Sequence, residues 1–190
     1  MTKAFPWPTV GGHDFYEVYS ALQKSIRRSD EEEALYWAAE LDLSDYGSHL
    51  WSRLRIIASE DVGLADPMAT VQVHVLHENW KDAKGKKGDP ERLFIVHAVV
   101  LLARAKKQRL VDHATCVAYN DRQPRRIPDH ALDKHTTRGR ALGRGVEHFL
   151  DEGAQLIARN EFDGDDPYAE RAAAIWKAAE RKAKQQASLL

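Results

Sequence analysis

Arginine is concentrated in one stretch of this sequence, residues 122–145, where seven basic residues face only two acidic ones. Six of them are candidate phosphate ligands: Arg125, Arg126, Lys134, Arg138, Arg140 and Arg144. Guanidinium groups on a loop suit contacts to phosphate oxygens, which are independent of base sequence and sensitive to salt. The segment therefore predicts nucleic-acid binding as one function, although it contains no aromatic side chain on which single-stranded bases could stack.

The same arginines suit a protein partner, because residues 29–66 carry ten acidic side chains and only two arginines. An acidic surface on one copy and a basic segment on the next would form a head-to-tail electrostatic contact between subunits. A solvated or intramolecular role is the third interpretation. The sequence leaves all three open.

Two adjacent carboxylates, Glu60 and Asp61, suggest acid and base chemistry. Their place at a predicted helix end before Gly63 favours a fixed corner or a subunit contact, because acid–base catalysis also needs a cleft and a reacting partner. The polar face of the first predicted helix adds four residues, Gln23, Lys24, Arg27 and Arg28. We expect these six residues to form a partner or oligomer surface, with plain solvation as the alternative, and we assign no catalytic residue.

Histidines provide the patterns that could hold a metal. His74 and His77 share a helix face with Glu78, but no second ligand cluster accompanies them. A further group lies among the later acidic residues Asp112, Asp129 and Asp133 and consists of His113, His130, His135 and His148. We expect hydrogen bonding to backbone or water, and predict no metal and no cofactor. A small metal-dependent enzyme built from these later histidines remains an alternative.

Composition gives no general attraction to nucleic acid or membrane, since the formal charge is −1. The single cysteine, Cys116, predicts a buried thiol and a reducing compartment. The longest apolar run, residues 93–103, is too short to cross a bilayer, and the N-terminus lacks the apolar stretch of a secretion signal. We therefore expect a cytoplasmic protein without a membrane partner.

Apolar residues recur with a helical period through the first 120 residues. The first helix carries Phe15, Val18, Tyr19, Leu22 and Ile26. A second follows a capping-box pattern at residues 29–32 and directs Ala34, Leu35, Trp37, Ala38 and Leu41 inward. A third carries Leu50, Leu54 and Ile57 and ends before Gly63, and a fourth begins at Asp66 and Pro67 with the inward residues Met68, Val71, Val75 and Trp80.

Residues 93–103 are apolar on every side and predict a central helix, in which Leu101→Asp would be severely destabilising. A sixth helix carries Leu110, Ala114 and Val117. The prediction is a mainly α single domain over 1–190, an orthogonal bundle of six to eight helices with its core in 13–120.

Residues 121–190 are predicted as a basic irregular segment followed by a C-terminal helix that starts at Asp166 and Pro167. Within this part a short helix is expected near Thr137. Four apolar side chains are expected to pack it against the bundle, namely Phe149, Leu150, Leu156 and Ile157.

Three stretches resemble the C-terminal domain of the MgsA/RarA family of AAA+ ATPases, relatives of Werner-helicase-interacting protein. They are residues 20–30 with 34–37, residues 58–67, and residues 90–106. The resemblance covers about residues 13–120, and residues 134–156 depart from it. It implies a helical collar domain, similar to those of clamp-loader subunits, that assembles subunits into tetramers in replication and recombination.

A nucleotide site is not predicted. Residues 139–145 have glycines but lack the lysine and hydroxyl residue of a phosphate-binding loop, and no apolar strand ends in paired acidic residues. We therefore expect a stand-alone, non-enzymatic relative of the collar domain that forms a homo-oligomer, such as the family's tetramer, or docks on a full-length AAA+ ATPase. DNA is the alternative partner.

Overall fold

A computed structural model describes residues 8–156 and 166–187, and within those ranges the chain is built from helices without a strand. The six helices of the first 120 residues are α1 (Phe15–Arg27), α2 (Glu31–Leu43), α3 (Gly47–Ile57), α4 (Ala69–Ala83), α5 (Glu91–Arg104) and α6 (Leu110–Asn120). Later come the short helices α7 (Thr137–Ala141) and α8 (Val146–His148) and the long helix α9 (Ala169–Ala187). The predicted mainly α bundle is confirmed.

The core lies among α1 to α5, where α1 packs against α2, α4 packs against α5, and α2 also packs against α5. Its residues follow the predicted stripes of the first three helices, with Leu22, Ile26, Leu41, Leu50 and Leu54 fully buried. Trp51 is also fully buried and was not among the predicted core residues. Burial of such large apolar side chains provides the main favourable free energy for this bundle.

Aspartate side chains cap the N-termini of the first two helices. Asp14 accepts hydrogen bonds from the amides of Tyr16 and Glu17, and Asp30 accepts one from Glu33. The capping-box pattern had pointed to Ser29, but Ser29 adopts a left-handed backbone (φ 60°) and Asp30 takes the cap. A side-chain oxygen at this position satisfies amides that have no partner within the helix.

The third helix does not stop at its last α-turn. After Ile57 it widens into one π-turn, Ala58–Val62, then tightens into a 3₁₀ turn, Gly63–Ala65. Gly63 has a backbone φ of 53°, which residues with a Cβ rarely adopt. The predicted end of the third helix before this glycine is confirmed. The π-turn places Asp61 inside the bundle, where its side chain is fully buried.

The inward face predicted for α4 is largely wrong. Met68, Val71 and Val75 are exposed, whereas the buried face consists of Ala69, Val73, Leu76, Trp80 and Ala83. Both sets have helical spacing, so periodicity alone could not tell which one faces the core. Trp80 was the one predicted residue that belongs to the buried set.

The central position predicted for α5 is also wrong, because one side of this helix reaches solvent. Leu93 is 68% exposed and Val96 is 45% exposed, while Ile95, Val99 and Leu102 are buried. A helix at the edge of a bundle buries one face only, even where its sequence is apolar all round.

Of the described residues, 120–156 form a second compact unit, and 8–119 with 166–187 form the first. The short helix predicted near Thr137 is present as α7. Phe149 is half-buried, but Leu150 and Leu156 are exposed, so the predicted burial of these two side chains is wrong. Ile157 lies outside the described residues.

Helix α9 packs against α6 through a small apolar cluster separate from the main core. Cys116, Val117 and Ala172 are its buried members, and Tyr168 and Ile175 cover it. Asp166 precedes the helix and lies 2.6 Å from Nδ1 of His113 on α6. The predicted C-terminal helix is present but begins at Ala169, after a turn at Asp166 and Pro167, and the predicted burial of the Cys116 thiol is confirmed.

Neighbouring leucines on α5 separate the buried face from the exposed one. We expect Leu102→Asp to destabilise the fold by about 3 kcal/mol or more, since it would place an unpaired charge where Leu102 is fully buried. Leu101→Asp is the matched control and should cost clearly less, because Leu101 is only half-buried. Urea unfolding measures both, and equal losses would contradict this assignment of the faces.

A second prediction concerns His77, whose ring stacks on Trp51 and Trp80 at centroid distances of 5.0 and 5.8 Å. Burial, with Lys81 and Arg55 nearby, lowers the pKa of His77 from its ordinary value of 6.5. The unfolded chain therefore takes up this proton first, and stability is lost as the pH falls below about 6.5.

Unfolding free energies measured at neutral pH and near pH 5.5 should thus differ less for His77→Phe than for the parent protein. His74→Gln serves as the control, because it removes a histidine of the same helix whose ring does not stack on the two tryptophans. A His77→Phe protein that kept the full pH dependence would show that this ring does not carry the effect.

Candidate partner-binding surfaces

Four of the six residues predicted as a partner surface meet around the buried carboxylate of Asp61. Nε2 of Gln23 donates to its Oδ2 at 2.9 Å, and Nε of Arg27 donates to its Oδ1. The second nitrogen of Arg27 donates to Glu60 at 2.9 Å. Both oxygens of Asp61 therefore have donors, which is the condition under which a buried charge is stable.

This network extends to neighbouring elements. Arg53 on α3 donates to Oε1 of Gln23 at 2.8 Å, and the amide of Gln108 donates to the backbone oxygen of Asp61 at 2.9 Å. Arg109 lies 3.6 Å from Glu60 and also pairs with Asp112. The carboxylates of Glu60 and Asp61, which we call the acidic corner, thus connect α1, α3 and the start of α6. This is the structural role that the sequence offered as the alternative to catalysis.

The surface expected from this group is consequently smaller than predicted. Gln23 and Asp61 are buried, and Arg27 and Glu60 are half-buried and paired with each other. Lys24 and Arg28 are exposed and remain available to a partner. The sequence could not show this division, because the π-turn that buries Asp61 has no signature in residue spacing.

An open groove of about 610 Å³ runs beside this corner, between α3, the π-turn, α4 and α6. Its lining mixes hydroxyl and charged side chains, including Ser59, Glu60, His74 and Asp112. Glu60 and Asp112 both bind arginines, so the groove presents no free pair of carboxylates for acid–base chemistry.

The exposed face of α4 is the first apolar surface, and we call it the α4 stripe: Met68, Val71 and Val75. Val71 and Val75 are each 50% exposed, and Met68 is 56% exposed. Leu64, in the preceding turn, is also exposed. Positions i, i+3 and i+7 share one side of a helix, so the three side chains form a continuous ridge.

The second apolar surface is a groove of about 230 Å³ between α2 and α5, which we call the α2–α5 groove. Small residues, Ala38 and Ala39, line it together with Leu35, Leu43, Ile95 and Val96. Asp42 and Arg92 stand at its edge with 3.4 Å between Oδ2 and Nε. Burial raises the pKa of Asp42 even though Arg92 opposes that shift.

The predicted phosphate ligands differ in how they are used within the second unit. Arg144 donates to the backbone oxygens of Asp129 and Leu132 at 2.8 and 2.9 Å and also binds the Asp129 carboxylate. Arg140 donates to the backbone oxygens of Lys134 and His135, both at 3.2 Å. These two arginines therefore stabilise the local fold.

The remaining basic residues are more available. Arg125, Arg126 and Arg138 are exposed, as is Arg122, and no ion pair to them occurs within the described part of the chain. Lys134 is half-buried, with its ammonium 5.2 Å from the centre of the Phe149 ring. A phosphate-binding surface here would thus rest on three of the six predicted residues, Arg125, Arg126 and Arg138, together with Arg122.

The histidines do not gather into a metal centre in the part of the chain that the structure describes. His74 lies 4.0 Å from Glu78, whereas the ring of His77 stacks on the tryptophans, so these three side chains do not converge on one point. His113 pairs with Asp166, and His135 pairs with Asp133 at 2.8 Å. Hydrogen bonds from His135 lower the pKa of Asp133.

Within the same described ranges, no helix is both long enough and apolar enough to cross a bilayer.

Comparison with known proteins places this helical unit in a family. The family model described as MgsA AAA+ ATPase C terminal matches residues 28–187, which extends the resemblance through the basic segment and α9. An uncharacterized AAA domain-containing protein of Mycobacterium tuberculosis is 34% identical over 155 residues, covering 78% of this chain and 33% of that protein.

Two relatives carry the name replication-associated recombination protein A. The one from Bacillus subtilis is 35% identical over 141 residues, covering 72% of this chain and 32% of its own length. The one from Escherichia coli K12 is 36% identical over 157 residues, covering 79% of this chain and 34% of its own length. This chain spans about one third of the length of these relatives. It belongs to the MgsA AAA+ ATPase C-terminal family and is related to the C-terminal domain of replication-associated recombination ATPases.

Proposed function

We propose that this chain is a non-catalytic assembly domain that associates with further copies of itself or with a full-length AAA+ ATPase in replication-associated recombination. The observation that carries the proposal is the α4 stripe, an exposed apolar ridge on a helix whose opposite face is already buried. Contiguous exposed apolar area on a folded domain marks a site of protein association.

The charged residues support assembly better than catalysis. The carboxylates nearest to an open groove, Glu60 and Asp112, are paired with arginines, and Asp61 is enclosed by donors. A general acid or base must reach a reacting group. Family membership supports the same conclusion, since the matched relatives are AAA proteins and the match falls on the C-terminal part of the ATPase.

Apolar contact through α4 predicts a specific loss of assembly. Val71→Glu with Val75→Glu should reduce the molar mass measured by light scattering after gel filtration to that of a single chain at tens of micromolar. The stripe would then carry two charges that an interface core excludes. Both valines are half-exposed, so the variant should keep its helical circular dichroism.

Thr70→Glu with His74→Glu is the matched control. It adds the same two groups to an exposed side of the same helix but leaves the stripe intact, so its mass should equal that of the parent protein. A parent protein that is monomeric over the full concentration range, alone and with a full-length family ATPase, would exclude the proposed function.

Nucleic-acid binding is the second candidate, and the exposure of Arg122, Arg125, Arg126 and Arg138 favours it. If four phosphates are neutralised, the logarithm of the affinity for duplex DNA should fall with that of the salt concentration at a slope of about −3.6. Arg125→Ala with Arg126→Ala should reduce this slope by about 1.8.

The control for that experiment is Arg28→Ala with Arg55→Ala. It removes two exposed arginines from the first unit and should leave the slope unchanged. Fluorescence anisotropy from 50 to 200 mM salt measures all three proteins. Absence of binding at the lowest salt concentration would eliminate this candidate without affecting the assembly proposal.

A further inference from the structure

The open groove beside the acidic corner, which we call the polar groove, gathers polar side chains from three helices. Ser52, Arg55 and Ser59 line it from α3 and the π-turn, and Thr70 and His74 line it from α4. Spacings of three and four residues keep each set on one side of its helix. The volume of about 610 Å³ lies in the range of pockets that hold small molecules.

Hydrogen-bond donors in the polar groove have no protein partner within the described residues. The guanidinium of Arg55 has neither a hydrogen bond nor an ion pair there, and the hydroxyls of Ser52, Ser59 and Thr70 have no hydrogen bond. Ser52 and Ser59 lie on either side of Arg55 along the chain, and Thr70 lies on the facing helix. A guanidinium fork supported by hydroxyls is a donor set that suits the oxygens of a phosphate group.

Acceptors lie toward α6, at the other side of the polar groove. Both arginine contacts of Glu60 use Oε1, from Arg27 at 2.9 Å and from Arg109 at 3.6 Å. Asp112 uses Oδ2 for its contact with Arg109. In the described part of the chain, no donor reaches Oε2 of Glu60 or Oδ1 of Asp112. An ionised carboxylate only accepts, so these oxygens suit ligand hydroxyls and repel a second anionic group.

Two further features suit a compact organic ligand. Ile56 is 43% exposed and lines the polar groove together with Val111, so the carbon atoms of a ligand have an apolar surface to contact. The π-turn brings Ser59 and Glu60 to the rim of the groove. Single π-turns within helices occur frequently at functional sites. These features favour a bound molecule over simple solvation of the groove.

From this division of donors and acceptors we propose that the polar groove binds a small phosphate monoester that carries hydroxyl groups, such as a sugar phosphate. Arg55, Ser59 and Thr70 hold the phosphate, and the free oxygens of Glu60 and Asp112 accept from the hydroxyls. The site is independent of the proposed assembly function, because none of these side chains belongs to the α4 stripe.

Calorimetric titration of the full chain tests the class of ligand. The probes are ribose 5-phosphate, glucose 6-phosphate and glycerol 3-phosphate, and at least one should bind saturably at one site per chain. Inorganic phosphate and unphosphorylated ribose should each bind roughly tenfold more weakly, since each lacks one set of contacts. Absence of saturable binding by all three esters at millimolar concentration would overturn the proposal, and so would equal affinity for inorganic phosphate.

The role of the guanidinium has its own test. Arg55→Gln should weaken binding of the best ester by about ten- to a hundredfold, because it removes charge-assisted donors. Arg55 is exposed, so the variant should keep its helical circular dichroism. Arg28→Gln removes the same charge from an exposed position outside the groove, and it serves as the matched control. Equal losses would mean that net charge alone attracts the ligand, which contradicts the site.

Nuclear magnetic resonance of the ¹⁵N-labelled chain locates the bound ester. Its addition should shift the backbone amides of Ser59 and Thr70, on the two walls of the groove, and leave that of Val18 in the core unchanged. Shifts confined to the exposed arginines of residues 122–126 would place the ligand in the basic segment and overturn the assignment. Either result leaves the assembly proposal to be decided by its own measurement of molar mass.

Discussion

The arrangement of the first unit depends on one buried carboxylate. Asp61 is fully enclosed, and a charge in that position is tolerated only when donors surround it. Gln23 and Arg27 on α1 donate to this carboxylate, and the amide of Gln108, in the segment before α6, donates to the backbone oxygen of Asp61. The hydrogen bonds of this one residue therefore connect the first helix, the π-turn and the segment that leads into the sixth helix.

The π-turn makes this arrangement possible. A regular α-helix through residues 58–62 would advance each side chain by a fixed angle, and one wider turn changes that angle locally. Glu60 and Asp61 then both reach Arg27, one from the surface and the other from inside. Because Arg109 contacts Glu60 as well, the corner also holds the base of α6.

Much of the fold could be predicted from the sequence, because helix starts and the first three apolar stripes are local signals. Such signals depend only on interactions within one turn or one helix face, and examples are the aspartate caps, Gly63 and the apolar stripe of α1. The faces of α4 and α5 were assigned wrongly for a different reason. Both helices carry more apolar residues than one face can hold. Which of these residues are buried depends on the position of the neighbouring helices.

The candidate site was harder to predict for the same reason. Sequence patterns drew attention to charged residues, such as Arg27, Asp61 and Arg144, and the structure places these in internal networks. The surfaces that suit a partner are apolar and were expected in the core. Exposure is a property of the assembled bundle, and a periodic pattern gives no information about it when two patterns compete on one helix.

The lone thiol beneath α9 has a practical consequence. Among the described residues, Cys116 is buried with Val117 and Ala172 in a small cluster that is separate from the main core and that α9 covers. An element that packs on a small separate cluster can open with a smaller free energy than the whole domain needs to unfold. The rate at which a thiol reagent modifies the native protein would therefore record how often the last helix lifts away, with a reporter that requires no engineering.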